Sequence, residues 1–287
     1  MEDPVKQFDL ETRTLLCKPS AQVSRQLGFL RFLANGYNGK SVVAVTLAFA
    51  IYGTIGFLES DLLRRNRSDI NWLLICLWAG MTALLCWNVQ PARDLALAAV
   101  ALAGGLAFEW WGTHTQLWCY FTGETPPVWI LPAWPVAALA SSRIALLLER
   151  VCSKPRVSWQ VAYWGAMLLF AVGMVWFIWP SIKMFLSQAA CGLIVVVVVL
   201  GKKHRRDCCL FLGGTCLGFL LEYWGTTREC WTYYSGETPP LITAAAHGFA
   251  QVCYVRALDA LSWGRATGRK LANREWKRFV ENSPTRQ

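Results

Sequence analysis

The chain has 287 residues, of which 55% are hydrophobic and 16% charged, with a formal net charge of +10 and a mean hydropathy of +0.33. Soluble domains carry about 25% charged residues, so this composition excludes an ordinary soluble domain and favours a membrane protein. The positive charge does not indicate nucleic-acid binding, because it is concentrated in the tails and in alternate loops between apolar stretches.

Eight apolar stretches follow a polar N-terminal segment. Residues 1–40 lack the short apolar segment and cleavage site of a secretory signal, and we expect them to form a cytoplasmic tail. The stretches approach the roughly 20 residues that cross a hydrocarbon core. They lie at about 41–59, 70–88, 95–112, 128–148, 158–179, 182–200, 208–225 and 241–261. β-Barrel strands would be about half as long, so we predict an all-α integral membrane protein with about eight transmembrane helices.

The loops between these stretches differ in charge. Most Lys and Arg residues fall in the two tails and in the loops near 89–94, 149–157 and 201–207. By the positive-inside rule these segments are cytoplasmic, and the other loops face outward. Both termini are therefore expected on the cytoplasmic side of a bacterial inner membrane or an ER-type membrane.

One outward loop occurs twice. Residues 109–127 read EWWGTHTQLWCYFTGETPP and residues 222–240 read EYWGTTRECWTYYSGETPP, with eleven of nineteen positions identical and no gap. Apolar spans can differ freely between two copies as long as they stay apolar, whereas this polar stretch with Gly and Pro is nearly the same in both. The recurrence indicates a duplication whose two copies build one site.

The duplication also predicts the domain organisation. Residues 41–150 and 151–262 form two repeats, and 263–287 form a basic cytoplasmic tail. Each repeat crosses the membrane four times, an even number, so the two repeats are parallel and related by an axis along the membrane normal. That arrangement places the two outward loops side by side.

Glu109 and Glu222 open the two copies of the loop, near the outer ends of their spans. An acidic side chain inside a membrane costs free energy and indicates a functional site by default. Burial among tryptophan rings favours the protonated carboxyl that a general acid needs. The alternative is structural: a carboxyl that bonds the groups of its own loop.

His247 lies about as deep in the last span as Glu222, and its counterpart in the first copy is Trp134. The second copy, with Glu222 and His247, is therefore the better candidate for proton transfer, although a membrane histidine can also be a packing residue. Arg256 is expected to pair with Asp259 on the same helix face, and Arg143 to pair elsewhere or to snorkel.

Aromatic side chains surround the two acids in the sequence. They are candidates for a pocket that binds substrate and stabilises a cation through ring faces; they are Trp110, Trp111, Trp118, Tyr120, Trp134, Trp224, Trp231 and Tyr233. A second set shapes the loops: Gly112, Thr113, Glu124, Gly225, Thr226 and Glu237.

Cysteine usage gives a weaker signal. Most of the 11 cysteines fall inside spans, where Cys acts as a small hydrophobe. Cys119 and Cys230 lie in the outward loops, so a disulfide between them is one possibility and two free thiols the other. The sequence contains no phosphate-binding loop, histidine cluster or Asp-rich box, and we expect neither a metal nor a cofactor.

Part of the first copy resembles a known family. The pattern Glu109-x-x-Gly112-Thr113-x-Thr115, followed by residues 120–123 (YFTG) and by Pro132-x-Trp134, is similar to the motif of membrane carotenoid 1,2-hydratases of the bisanhydrobacterioruberin type. The resemblance implies water addition to a long polyene, with Glu109 and Glu222 as acids. The second copy departs from it, since Arg228 replaces Thr115 and His247 replaces Trp134.

Three functions remain open from the sequence. The first is a cofactor-free enzyme that hydrates, cyclises or isomerises an isoprenoid or another membrane lipid. The second is a transporter of lipids or small molecules. The third is a non-catalytic subunit whose outward loops contact a membrane-protein partner or a second copy of the chain. Acids that converge on an apolar, tryptophan-lined cavity would favour the enzyme, and a polar path through the membrane would favour transport.

Overall fold

The computed structural model describes residues 72–152 and 158–281, with isolated positions between 39 and 50. The helices are α1 (Trp72–Leu85), α2 (Pro91–His114), α3 (Ala133–Val151), α4 (Trp159–Phe177), α5 (Phe185–Val199), α6 (His204–Thr227) and α7 (Leu241–Glu281). Short 3₁₀ helices lie at Val128–Ile130 and Trp179–Ser181. Two short strands, β1 (Trp118–Tyr120) and β2 (Trp231–Tyr233), complete the described part of the fold.

The described residues are mainly helical, as predicted. Among them, four helical segments are long and apolar enough to cross a membrane: Pro91–His114, Val128–Val151, Trp159–Phe177 and His204–Thr227. Two shorter apolar helices occur at Cys76–Leu85 and Phe185–Val199. The first predicted span, 41–59, and the tail 1–40 lie outside the described residues apart from the isolated positions. Helix α7 continues past the predicted end of the last span, through most of the basic tail.

Helix α6 packs at the centre of this bundle, against α7, α3, α4 and α1. Its small residues allow this approach: a Cβ on Gly214 would lie 2.7 Å from the Cα of Gly248 in α7, too close for any side chain. Close backbone contact through glycine is a usual way for helices to associate in lipid, where burial of apolar surface gives little driving force.

The two copies of the repeated loop pair with each other as antiparallel strands, a feature that the helical prediction does not contain. Trp118 lies opposite Tyr233, Cys119 opposite Thr232, and Tyr120 opposite Trp231. This register is unchanged when the two copies are exchanged, because Trp118 and Trp231 are matching positions and so are Tyr120 and Tyr233. We call this two-stranded sheet the ribbon.

Of the two arginines inside the bundle, Arg256 pairs differently from the prediction and Arg143 pairs elsewhere, which is one of the two predicted alternatives. Arg256 bonds Asp207 at 2.7 Å, and not Asp259, so the predicted pair on one helix face is wrong. Asp207 is buried at the start of α6, facing α7, whereas Asp259 is more exposed and bonds Lys203 and Arg206. The matching Arg143 pairs with Asp94 at 2.5 Å. Asp94 and Asp207, like the two arginines, hold matching positions.

Two local features involve proline and cysteine. Pro132 and Pro135 lie at the start of α3, after the 3₁₀ helix Val128–Ile130, where proline removes no helical hydrogen bond. Cys119 is not joined to Cys230 by a disulfide, because the ribbon places the Cys119 side chain beside Thr232, with 3.1 Å between Sγ and Oγ1.

Candidate functional site

Glu109 is buried near the C-terminal end of α2 and accepts three side-chain hydrogen bonds. Tyr120 donates to its Oε2 at 2.7 Å, Trp118 to Oε2 at 3.2 Å, and Trp134 to Oε1 at 3.0 Å. Only 4% of the Glu109 surface is exposed. Buried carboxyls require such partners, and here all three come from aromatic side chains.

Glu222 repeats this arrangement near the C-terminal end of α6. Tyr233 and Trp231 donate to its Oε2 at 2.8 and 2.9 Å. His247 Nε2 lies 3.0 Å from Oε1, the place that Trp134 takes at Glu109. The second copy therefore differs from the first in one partner of the carboxyl, and that partner is a titratable one.

The repeated pattern explains how one loop supplies two donors to one carboxyl. Residues two apart in a strand point to the same face, so the side chains of Trp118 and Tyr120 reach Glu109 together. Their counterparts Trp231 and Tyr233 reach Glu222 in the same way. Burial raises the pKa of the Tyr120 and Tyr233 hydroxyls, and the neighbouring carboxyls raise it further, so both phenols remain protonated donors.

Two glycines on each helix make room for the indole and imidazole rings that contact the carboxyls. One turn beyond each glutamate, a Cβ on Gly112 or Gly225 would overlap the ring of Trp118 or Trp231. One turn before it, a Cβ on Gly105 would overlap the Trp134 ring, and one on Gly218 would lie 2.5 Å from the Cβ of His247. Glycine thus stands on both sides of each acid because aromatic rings lie directly over the helix backbone there.

The loop threonines close the helix ends. Thr113 donates from Oγ1 to the carbonyl of Glu109, and Thr226 to the carbonyl of Glu222, both at 2.7 Å. Glu124 and Glu237 lie at the exposed far ends of the loops, away from the two buried acids. The threonine hydroxyls therefore bond helical carbonyls and do not donate to the two carboxyl groups.

Both acids line one cavity of about 270 Å³ between the helices and the ribbon. Six tryptophans line it: Trp111, Trp118, Trp129, Trp134, Trp224 and Trp231. The remaining lining is largely aliphatic or aromatic, and none of the lining residues is Lys or Arg. Leu193 lines the cavity and is also 46% exposed on α5, which places one edge of the cavity at the apolar surface of the bundle.

The structure brings most of the aromatic residues named from the sequence to this cavity. Trp110 is the exception: its ring is half-exposed and donates to His114 at 2.9 Å instead. Trp111 lines the cavity while donating to Ser187 at 3.2 Å. Sequence reasoning missed Trp129, Phe108, Phe170 and Phe177 as lining residues. Nothing in their local sequence distinguishes them from other aromatic residues of the spans.

The partners of the two carboxyls give them different proton chemistry. An indole N–H only donates, so Trp134 cannot take a proton from Glu109. An imidazole nitrogen can either donate or accept, so Glu222 and His247 can share and exchange a proton. No group of three His, Cys, Asp or Glu side chains that could hold a metal ion occurs within the described residues.

Comparisons of the chain with protein-family models, with curated proteins and with solved structures find no significant match. Function is therefore inferred from the geometry of the site.

Proposed function

We propose that the chain is a multi-pass membrane protein that binds an unsaturated isoprenoid or similar lipid in this cavity and protonates one of its double bonds. The observation that carries the proposal is the convergence of two buried carboxyls on one apolar cavity lined by tryptophan. Apolar pockets with a few polar groups are typical binding sites, and buried acids beside them are typical catalytic groups.

The proposed topology is that of two parallel four-helix repeats with both termini cytoplasmic. The register of the ribbon supports it, because strands related by a twofold axis along the membrane normal pair in this symmetric way. The matching ion pairs Asp94–Arg143 and Asp207–Arg256 support it further. The ribbon then covers the outer side of the cavity.

In the proposed reaction the pair of Glu222 and His247 is the acid. The π electrons of the alkene take the proton, a C–H bond forms, and the bond from the proton to oxygen or nitrogen breaks. The positive charge left on the neighbouring carbon is stabilised by tryptophan ring faces. Loss of a proton from an adjacent carbon to the pair completes an isomerisation and restores the acid.

Two other outcomes use the same first step. Attack by a second double bond of the substrate closes a ring and moves the positive charge to another carbon, and loss of an adjacent proton to the pair then gives a cyclic alkene. Attack by water gives an alcohol, with a proton of that water returning to the pair. Water addition is the outcome that the resemblance to carotenoid hydratases favours. None of the three outcomes requires an oxidant, a reductant or a cofactor.

Transport and protein docking are less well supported by this geometry. A transporter needs polar groups along its path, whereas most of the cavity lining is apolar and its acids lie at one end of their helices. A docking surface would need no cavity beneath the ribbon.

The test is a comparison of lipid extracts by mass spectrometry. Cells would express the wild type, Glu109→Gln, Glu222→Gln, or the exposed-loop control Glu237→Gln, with insertion checked by detergent extraction and gel filtration. We expect an isoprenoid that gains the mass of water, or changes retention at constant mass, in the wild type and the control but not in Glu222→Gln. Identical extracts from all four well-folded proteins would contradict the proposal.

A further inference from the structure

The charges of the residues that line the cavity indicate which chemical class of ligand it binds. Glu109 and Glu222 are nine-tenths or more buried and line the same cavity. Two negative charges buried in one cavity are costly, and a positive charge between them relieves both the repulsion and the loss of hydration.

The described protein supplies little of that positive charge. Among the lining residues His247 alone can become a cation, and it lies against Glu222. Arg143 and Arg256 are each paired with an aspartate of their own, Asp94 and Asp207. An ionised Glu109 therefore has aromatic donors around it but no cationic partner among the lining residues.

The aromatic hydrogen-bond donors also increase the attraction of the cavity for a cation. Trp118 and Trp231 donate their indole N–H groups to the carboxyls and also line the cavity. An indole that donates to a carboxylate becomes more electron-rich, and the face of its ring then attracts a cation more strongly. Carboxylates and tryptophan faces around one cavity are the combination that recognises quaternary ammonium groups.

We infer that the cavity binds ammonium-bearing amphiphiles, whose charged nitrogen lies between Glu109 and Glu222 and whose alkyl chain follows the apolar lining. The volume is near the lower end of the range for small-molecule sites, which suits a headgroup with the start of its chain. This inference rests on the proposed function, because an ammonium group carries the same positive charge as the carbocation of the proposed reaction. The test of the inference measures binding and requires no turnover.

The test measures binding to the purified protein in micelles of a non-ionic maltoside detergent, whose headgroup carries no ammonium group, by quenching of tryptophan fluorescence. The probes are hexyltrimethylammonium and its neutral isostere, in which carbon replaces nitrogen, each corrected for partition into empty micelles. We expect the cation to bind wild type at least about tenfold more tightly than the isostere. Equal affinity would overturn the inference, and this comparison needs no variant.

A matched pair of variants tests whether Glu109 binds the cation. Glu109→Gln and Glu124→Gln each replace one carboxyl in the repeated stretch 109–127, but only Glu109 lines the cavity. We expect Glu109→Gln to lose about tenfold in affinity for the cation and little for the isostere, with Glu124→Gln unchanged for both. Unchanged cation affinity in a folded Glu109→Gln would overturn the inference.

The outcome is distinguishable from that of the lipid-extract experiment. Cation binding with unchanged lipid extracts would leave the cavity assignment intact and reject the proposed chemistry. Lipid products without preferential cation binding would reject this inference alone.

Discussion

Trp134 and His247 stack face to face, with ring centroids 5.2 Å apart and planes inclined by 16°, although they hold matching positions in the two copies of the repeat. Each ring also reaches the glutamate of its own copy at 3.0 Å. The second face of Trp134 is covered by Phe108, at 5.9 Å. The two halves of the site therefore meet at one aromatic stack, and the substitution of His for Trp is the chemical difference between them.

This difference predicts the effect of His247→Trp. The new indole would still donate to Glu222 beside Gly218, as Trp134 does beside Gly105, but it could not exchange a proton. We expect product formation to fall by roughly 10²- to 10⁴-fold, the usual contribution of general acid–base catalysis. The measurement is product per folded protein in membranes, and wild-type product levels in His247→Trp would exclude His247 from proton transfer.

The glycines beside the acids predict a stability difference. Gly225→Ala would place a methyl group inside the Trp231 ring, and we expect a loss of about 1–3 kcal/mol for forced repacking. The control is Gly165→Ala in α4, where no atom lies within 4 Å of the added Cβ, and we expect a gain of up to about 1 kcal/mol from helix propensity.

Thermal unfolding in detergent, followed by tryptophan fluorescence, measures both glycine variants. Midpoints that shift equally would show that the indole does not lie over the helix backbone at Gly225.

The buried ion pairs predict a second stability difference. Arg143→Met leaves Asp94 without its cationic partner, and we expect it to cost about 3–5 kcal/mol. Adding Asp94→Leu should restore more than half of the loss, because no lone buried charge then remains. Lys203→Met, which removes an exposed partner of Asp259, should cost less than about 1 kcal/mol.

Unfolding of these three variants in the same detergent measures their losses of stability. An Arg143→Met variant as stable as Lys203→Met would mean that the inner pair contributes no more than a surface pair.

The ribbon predicts a cross-link. Thr232→Cys would bring a second thiol opposite Cys119, where the side chains are already in contact. We expect mild oxidation to join the two cysteines, as a linked peptide pair in mass spectrometry and as loss of Cys119 alkylation. Ser235→Cys, at the exposed turn after β2, should leave Cys119 reactive. A free Cys119 in oxidised Thr232→Cys would contradict the register and, with it, the parallel repeats.

The repeat was the most informative feature of the sequence. Eleven shared residues in the loops indicated one site from two copies, and they include both acids and the Trp and Tyr donors from the ribbon. Each acid and each donor has a specific hydrogen-bond partner, so only that type of side chain can make the contact. Such constraints can be recognised in a sequence without any structure.

The features that could not be predicted depend on how the two halves meet. The pairing of Arg256 with Asp207 requires the angle between α6 and α7, which no local pattern contains. The sequence predicts that the two loops lie side by side, but their pairing as antiparallel strands depends on the backbone path of each loop, which the repeat alone does not specify. Trp129 and Phe177 line the cavity through packing alone, and apolar residues in spans look alike whether they face lipid or a cavity.

The measurement that tests the central claim most directly is deuterium incorporation. Membranes holding the wild type, Glu222→Gln or Glu237→Gln would be incubated in D₂O, and their isoprenoid lipids extracted, back-exchanged in water and analysed by mass spectrometry. If Glu222 and His247 deliver a solvent-derived proton to a double bond, the wild type and Glu237→Gln will place deuterium on carbon and Glu222→Gln will not. Lipids free of carbon-bound deuterium with all three proteins, or labelled equally by all three, would contradict acid-initiated chemistry at this site.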